Sequence, residues 1–402
     1  MNVYERFGVN PIINVGGTKT RYGGALMEEE ARRAMDEAAN YSVRLFDLEA
    51  VASQIIARKT HAEAGLVTCG AFASLTLAAA ACICGLNVSK MNALPDTNHF
   101  PHEFIMPWHQ ISGYDHSIKV AGGKIVPVGI PNDTAPPTEV REITVSDVEA
   151  GINDNTVGIV YAVRGGSHPP LKEVIKLAKV YHIPLIIDAA AQVPPVENLH
   201  RFIDEGADLV CFSGGKGIRG PQASGILCGR KELICSAVVQ MLDMAITSFD
   251  EWDPPDEFKL LKEKLKGRPF HGIGRGAKVS KEAMIGLLVA LENLDSDKFQ
   301  GKAKYLRILL GQINNLIKDI DGVKTQITEE YKRAYPMLKV KIDESKLGKN
   351  ATDIIRELKD CNIFPRDNYK DIGIFYIHSL NLNEKNTKIV GEELLKILQK
   401  GE

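Results

Sequence analysis

Three short runs in the middle of the chain, "TVGIVYAV" (156–163), "IPLIIDAA" (183–190) and "DLVCFSG" (208–214), are apolar without alternation. A strand with one wet face alternates apolar and polar residues. One that is apolar throughout is covered on both faces, the situation of a parallel sheet between layers of helices. The intervening sequence agrees. "LKEVIKLAKVYH" (171–182) places Leu171, Val174, Ile175, Leu177 and Ala178 at helical spacing, and "RFIDEGA" is a short helical connection. "SGILCG" (224–229) makes a fourth strand, and "TCGAFASLTLAAAACICG" (68–85) opens with a turn and continues as a small-residue helix able to pack closely on a sheet. The expected class is α/β, a mostly parallel sheet with right-handed crossovers.

A chain of 402 residues, 44% of them hydrophobic, buries one large core and a smaller one. The texture changes at "DEWDPPDEF", where Pro-Pro breaks any helix. Helices are expected at 280–294, 304–320 and in "ATDIIRELKDCN", with strand character in "YPMLKVKID" and "IGIFYIHSL". The expected division is an N-terminal segment 1–20, a large domain 21–250, a connecting segment with an interdomain helix 251–294, and a small α+β domain 295–402.

Several function classes are disfavoured. The formal charge of −2 has no long like-charged run behind it, so no nucleic-acid partner is expected. "LTLAAAACICGL" is too short to span a bilayer, and "MNVYERFGVN" has no apolar leader core, so a cytoplasmic address without membrane attachment is expected. Seven cysteines scattered without a CxxC pair read as buried reduced thiols, with neither disulfides nor a metal centre expected.

Chemistry concentrates in "VCFSGGKGIRGPQASG" (210–225), which sets Lys216 on a glycine-rich turn after a strand. A Walker phosphate loop is excluded by spacing, because Val210 and Gly217 stand where glycine and Ser or Thr are required. Three other features accompany the lysine. Gly70, Ala71 and Phe72, with Ser74, open the small-residue helix, whose first amides suit a phosphate or simply start a helix. Asp188 ends a strand at the edge where open sheets bind ligands, or caps a helix. Trp108 and His109 offer flat side chains to cover a ring. Pyridoxal 5'-phosphate requires this set: a lysine for its aldehyde, an acid for its pyridine nitrogen, a helix start for its phosphate and an aromatic cover.

The segments "PIINVGGTKTRYGG", "EAGLVTCGAFASLTLAAAA", "LIIDAAAQVPP" and above all "DLVCFSGGKGIRGPQASGILCGRKELI" resemble the fold-type I pyridoxal-phosphate enzymes of the aspartate aminotransferase-like class. Within them, the resemblance is to the selenocysteine synthase (L-seryl-tRNA(Sec) selenium transferase) group, and in architecture to its short members of the D-glucosaminate-6-phosphate ammonia-lyase type. The resemblance implies that Lys216 carries the cofactor as a Schiff base and that Asp188 pairs with the ring nitrogen. It further implies that Gly70, Ala71, Phe72 and Ser213 hold the phosphate, with Gln192 and His109 against the ring. Arg21, Arg164, Arg219, Arg275 (with Lys278) and Arg366 are candidates for a substrate carboxylate or phosphate.

The implied activity is α,β-elimination, of ammonia-lyase or dehydratase type, on a polar amino acid or amino-sugar acid. Racemisation or transamination on the same scaffold is the alternative; selenium transfer and an inactive cofactor-fold protein rank behind. The chain begins almost at the cofactor-domain segment, without the extra N-terminal region with which selenocysteine synthases handle tRNA. A homo-oligomer, at least a dimer, is implied by the family.

Overall fold

The computed structural model describes residues 2–129, 142–328 and 334–399. It contains twelve strands: β1 (Ile13–Val15), β2 (Ala64–Thr68), β3 (Glu103–Pro107), β4 (Lys124–Val128), β5 (Thr156–Ala162), β6 (Leu185–Asp188), β7 (Leu209–Ser213), β8 (Gly225–Gly229), β9 (Val323–Ile327), β10 (Met337–Ile342), β11 (Ile363–Tyr369) and β12 (Ile374–His378). They form a seven-stranded sheet in the order β2-β8-β7-β6-β5-β3-β4 and a five-stranded sheet in the order β1-β11-β12-β10-β9. The chain divides into two compact units, one of residues 27–193 and 197–293 and a smaller one of 1–26, 194–196 and 294–402.

The three apolar runs become β5, β6 and β7, adjacent and parallel as their composition demanded. β8 departs from the parallel pattern: it pairs antiparallel with both β7 and β2. A parallel return needs a crossover of about a dozen residues or more, usually helical. Residues 214–224 are too few and too glycine-rich for that, so the chain turns back directly, with Ser213 opposite Gly225. The lysine segment is this return.

β2 is an edge strand, and its outer amides are covered from the helix Leu45–Thr60. Glu49 Oε1 accepts the Val67 N–H at 2.5 Å and Ser53 Oγ accepts the Gly65 N–H at 3.0 Å. Four residues of helix and two of strand advance by nearly the same length, about 6 Å, which lets one helical ridge cap alternate strand amides. Glu49 is fully buried, its other oxygen has no partner among the described residues, and desolvation pushes its carboxyl up to about 8.

Two boundaries differ from expectation. Residues 251–293, expected to form a connection, belong to the larger unit: Phe258 and Leu261 are buried there, and the helix Lys281–Glu292 packs so closely that a Cβ on Gly286 would lie 2.7 Å from Met35. The N-terminal segment joins the smaller unit, because β1 pairs in parallel with β11. Asn14 fastens the following glycine-rich turn, donating to the carbonyls of Gly17 and Gly24, each at 3.0 Å, while Asn381 accepts the Leu26 N–H at 2.9 Å. The helix expected at 304–320 starts earlier, spanning Ser296–Ile317, since the Asp295 side chain caps it through the Lys298 N–H. It supplies Leu306, Leu310 and Ile313 to the core of the smaller unit.

Of the cysteines, Cys84, Cys211, Cys228 and Cys235 are buried, Cys69 and Cys82 half-buried, and Cys361 exposed, all as free thiols. No helix among the described residues is long and apolar enough to cross a membrane.

Glu49 yields a test. Its carboxyl stays neutral in the folded chain up to about pH 8 but ionises near its ordinary value once unfolded, so stability is lost as pH rises from about 4.5 through 8. Glu49→Gln, neutral at every pH, is expected to be more stable than the wild type at pH 8 by a few kcal/mol, with the gain shrinking toward pH 5. Urea unfolding at the two pH values measures it; a gain independent of pH contradicts the buried neutral acid.

Candidate active site

Asp188 closes β6 and Lys216 follows the end of the neighbouring parallel strand β7, so both lie at the carboxyl edge of the sheet. Asp188 Oδ1 accepts the Ala190 N–H at 3.0 Å, a local turn that fixes the carboxylate direction. Lys216 is half-buried, and desolvation lowers its pKa while the charge of Asp188 pulls in the opposite direction. A larger share of this amine is therefore neutral near pH 7 than of an exposed lysine.

Glycines beside a lysine suggest a flexible turn; the surroundings of Gly214 and Gly215 show a different reason for them. A Cβ on Gly214 would stand 2.1 Å from Ser224 Oγ and 2.6 Å from Leu287, and one on Gly215 would stand 2.6 Å from the Gln222 backbone. These positions are glycine because the turn is tightly packed, and the turn is further tied by Gly214 N–H to Ser224 O at 2.9 Å and Gly220 N–H to Gly214 O at 2.9 Å. Motion of the amine resides in its own side chain.

The helix Ala71–Cys84 begins beside this turn. Its cap, Gly70, has φ +130° and supplies no side-chain hydrogen bond, so the opening N–H groups are left for an external acceptor. A Cβ on Gly225 would fall 2.5 Å from the Gly70 carbonyl carbon and 2.9 Å from the Ala71 nitrogen. That absent side chain leaves the backbone of β8 against the helix start. Ser74 is not available to a ligand: it is fully buried and its hydroxyl lies 2.7 Å from that of Thr68. Only the backbone of Phe72 belongs with this helix start, since its ring is exposed. Ser213 is half-buried at the end of β7, with no side-chain hydrogen bond among the described residues.

Around Asp188 a cleft is lined by Leu75, Ser112, Tyr114, Asp115 and Arg164. Gln192 stands over the end of β5, its side-chain amide donating to Val163 O at 2.8 Å. Buried Gln110 links the same strand end to the next loop, accepting the Ala162 N–H at 2.8 Å and donating to His168 O at 3.1 Å. His109 Nε2 accepts the His168 N–H at 3.1 Å; desolvation first, then the charges of His168 and Arg164, hold this imidazole below its usual pKa and so neutral.

The five arginines separate. Arg164 is exposed in the cleft with Asp188. Arg219 is buried, with φ +61°, and its guanidinium lies 3.3 Å from Glu28, a structural pairing. Arg275 is 3.2 Å from Asp243 in a separate pocket with Lys278. Arg21 and Arg366 belong to the smaller unit, where Arg21 lies 3.5 Å from Asp367 and Arg366 stands on β11 opposite Tyr376. Ser112, Tyr114 and Asp115 were not singled out from sequence. The strand that positions them, β3, is only five residues long and ends in proline, and their segment has no distinctive pattern.

Residues 128–259 match the family model described as aminotransferase class-V. D-glucosaminate-6-phosphate ammonia lyase of Salmonella typhimurium is 27% identical over 99% of this chain and 98% of its own length. The 5'-C-glycyluridine monooxygenase-decarboxylase of a Streptomyces species is 26% identical over 98% of this chain and 92% of its own. The L-seryl-tRNA(Sec) selenium transferase of Mannheimia succiniciproducens is 24% identical over 86% and 70% respectively. A solved structure of D-glucosaminate-6-phosphate ammonia-lyase superposes with a TM-score of 0.78 at 25% identity, covering 100% of this chain and 99% of that one.

The residues fit pyridoxal phosphate: a partly desolvated amine beside a carboxylate, and an uncapped helix start held in place by close packing against Gly225 of β8. Gly225→Ala is expected to weaken cofactor binding by about tenfold or more, the effect of a backbone clash of this size, while far-ultraviolet circular dichroism stays unchanged. Unaltered affinity would show that the helix start is not the anion site. In the cofactor-free protein, Asp188→Asn is expected to lower the Lys216 pKa further, because it removes the charge that raises it; the pH dependence of reductive methylation at Lys216 reads this out.

Proposed function

Because this chain is a fold-type I pyridoxal-phosphate enzyme carrying an aminotransferase class-V domain, we propose that it is a lyase. It would release ammonia from a 2-amino acid bearing a hydroxyl on carbon 3, a polar amino acid or amino-sugar acid, by losing water and then taking one water back in hydrolysis to a 2-oxo acid. The observation that carries this reading is the Lys216–Asp188 juxtaposition at the ends of β6 and β7 in a chain alignable end to end with an ammonia lyase. Bound here, pyridoxal phosphate supplies an electrophilic carbon and an electron-withdrawing ring.

The chain's own residues divide the remaining work. Lys216 Nζ would hold the cofactor and, in the substrate complex, would take the proton from substrate carbon 2 and pass it to the departing hydroxyl; its lowered pKa favours the neutral, proton-accepting amine. Asp188 would pair with the ring nitrogen of the cofactor. The N–H groups at Gly70, Ala71 and Phe72, with Ser213, bind phosphate. Gln192 and neutral His109 border the ring, and Arg164 receives the substrate carboxylate. Departure of the hydroxyl from carbon 3 as water leaves an enamine, whose hydrolysis gives a 2-oxo acid and ammonia. Arg219 and Arg275 serve the structure in this reading, each paired to a carboxylate.

The proposed setting is the cytoplasm, and the proposed working form at least a homodimer.

Incubation of cofactor-loaded protein with D- and L-amino acids, hydroxylated amino acids and phosphorylated amino-sugar acids tests the proposal. Equimolar ammonia and 2-oxo acid are expected for at least one hydroxylated substrate, with Lys216→Ala slower by at least about a hundredfold. Inverted substrate would point to a racemase, accumulation of the aminated cofactor to an aminotransferase, and oxygen consumption to a reaction like that named for the Streptomyces relative. Any of these without ammonia release overturns the lyase reading.

A further inference from the structure

On the surface of the larger unit His61 meets His200 and Asp204, which lie far from it in sequence. His61 ends the helix Leu45–Thr60 as a left-handed cap, φ +56°, in a position glycine usually fills. His200 and Asp204 lie four residues apart on the helix Asn198–Glu205, hence on one face of it. The imidazoles stack with centroids 4.4 Å apart and planes 25° from parallel, and both turn the same atom toward one carboxylate. His61 Nδ1 is 2.9 Å from Asp204 Oδ1, and His200 Nδ1 is 2.6 Å from Asp204 Oδ2.

We propose that His61, His200 and Asp204 form a binding site for a divalent transition-metal cation of the zinc, nickel or copper type. Two imidazoles and a carboxylate are the donor set such ions take, whereas magnesium and calcium prefer oxygen alone. A tetrahedral ion with bonds of about 2.0–2.1 Å needs donors about 3.3 Å apart. The two histidine–carboxylate spacings are within about 0.7 Å of that, and the ligand atoms of all three side chains lie within 4.8 Å of one another, so side-chain rotations can open the triad around an ion. All three side chains are partly exposed, at 54%, 35% and 45% for His61, His200 and Asp204, which leaves an outer coordination position to water.

The site lies away from the chemistry. Asp204 shortly precedes β7 and His61 shortly precedes β2, which runs parallel to β7, so both stand at the amino edge of the sheet. Asp188 and Lys216 stand at the carboxyl edge. A bound ion therefore clamps the end of one helix to another without touching the catalytic groups, and it is independent of the lyase reading.

Tag-free, cofactor-loaded protein titrated with zinc chloride at pH 7.5 is expected to bind one ion per chain through this site. The midpoint of thermal unfolding should rise by several degrees in excess zinc, and the cofactor absorption band should stay unchanged. His61→Ala and His200→Ala are each expected to weaken this binding at least tenfold and to abolish the thermal shift. Asp204→Asn, which keeps the shape of the side chain, should weaken it as well. Cobalt(II) in place of zinc should give the visible bands of a tetrahedral nitrogen and oxygen site without sulfur charge transfer. The proposal is overturned by absence of saturable binding, by equal binding in the histidine variants, or by a sulfur signature assigning the ion to a thiol such as Cys361.

Discussion

One amine held in partial exclusion from water beside one carboxylate is the constraint on which the rest of this structure turns. Lysine in water is a cation of little chemical use. Desolvation at the end of β7 lowers its pKa, and Asp188, on the next strand, limits how far it falls. That balance requires two strand ends held in register and a turn that cannot relax outward. β8 meets the second requirement by returning antiparallel, and Leu287, from a helix far along the chain, closes over Gly214 and Gly220.

The same close packing shapes the anion end of the site. Gly225 allows β8 to lie against the start of the helix Ala71–Cys84, and Thr68 and Ser74 bind each other beneath it. Their hydroxyls are spent on holding the loop; the helix amides are what remain for a ligand. A similar economy governs the cations. Arg219 and Arg275 are each matched to a carboxylate, whereas Arg164 lines the cleft around Asp188.

The legible parts of the sequence were those where one local rule decides the outcome. Unbroken apolar runs announced β5, β6 and β7, and a dense glycine segment announced the turn carrying Lys216. β1, β2, β3, β4, β9 and β11 were not read, being short, interrupted by proline or settled by pairing partners far away in sequence, as Ile13 is with Ile363. The direction of β8 followed from the brevity of its connection, a rule available in the sequence but not applied to it. The reason for the glycines was legible only in three dimensions, because flexibility and tight packing call for the same residue. Equally, no spacing rule links His61 to His200, and an arginine on a glycine-rich loop looks alike whether a carboxylate of the protein or of a substrate awaits it.

The account rests on Lys216 as the point of attachment for pyridoxal phosphate. Borohydride reduction of the fully loaded protein, followed by peptide mapping, tests this most directly. The predicted result is a single modified peptide spanning 210–225 with the added mass on Lys216; a label on any other lysine, with position 216 unmodified, would contradict it.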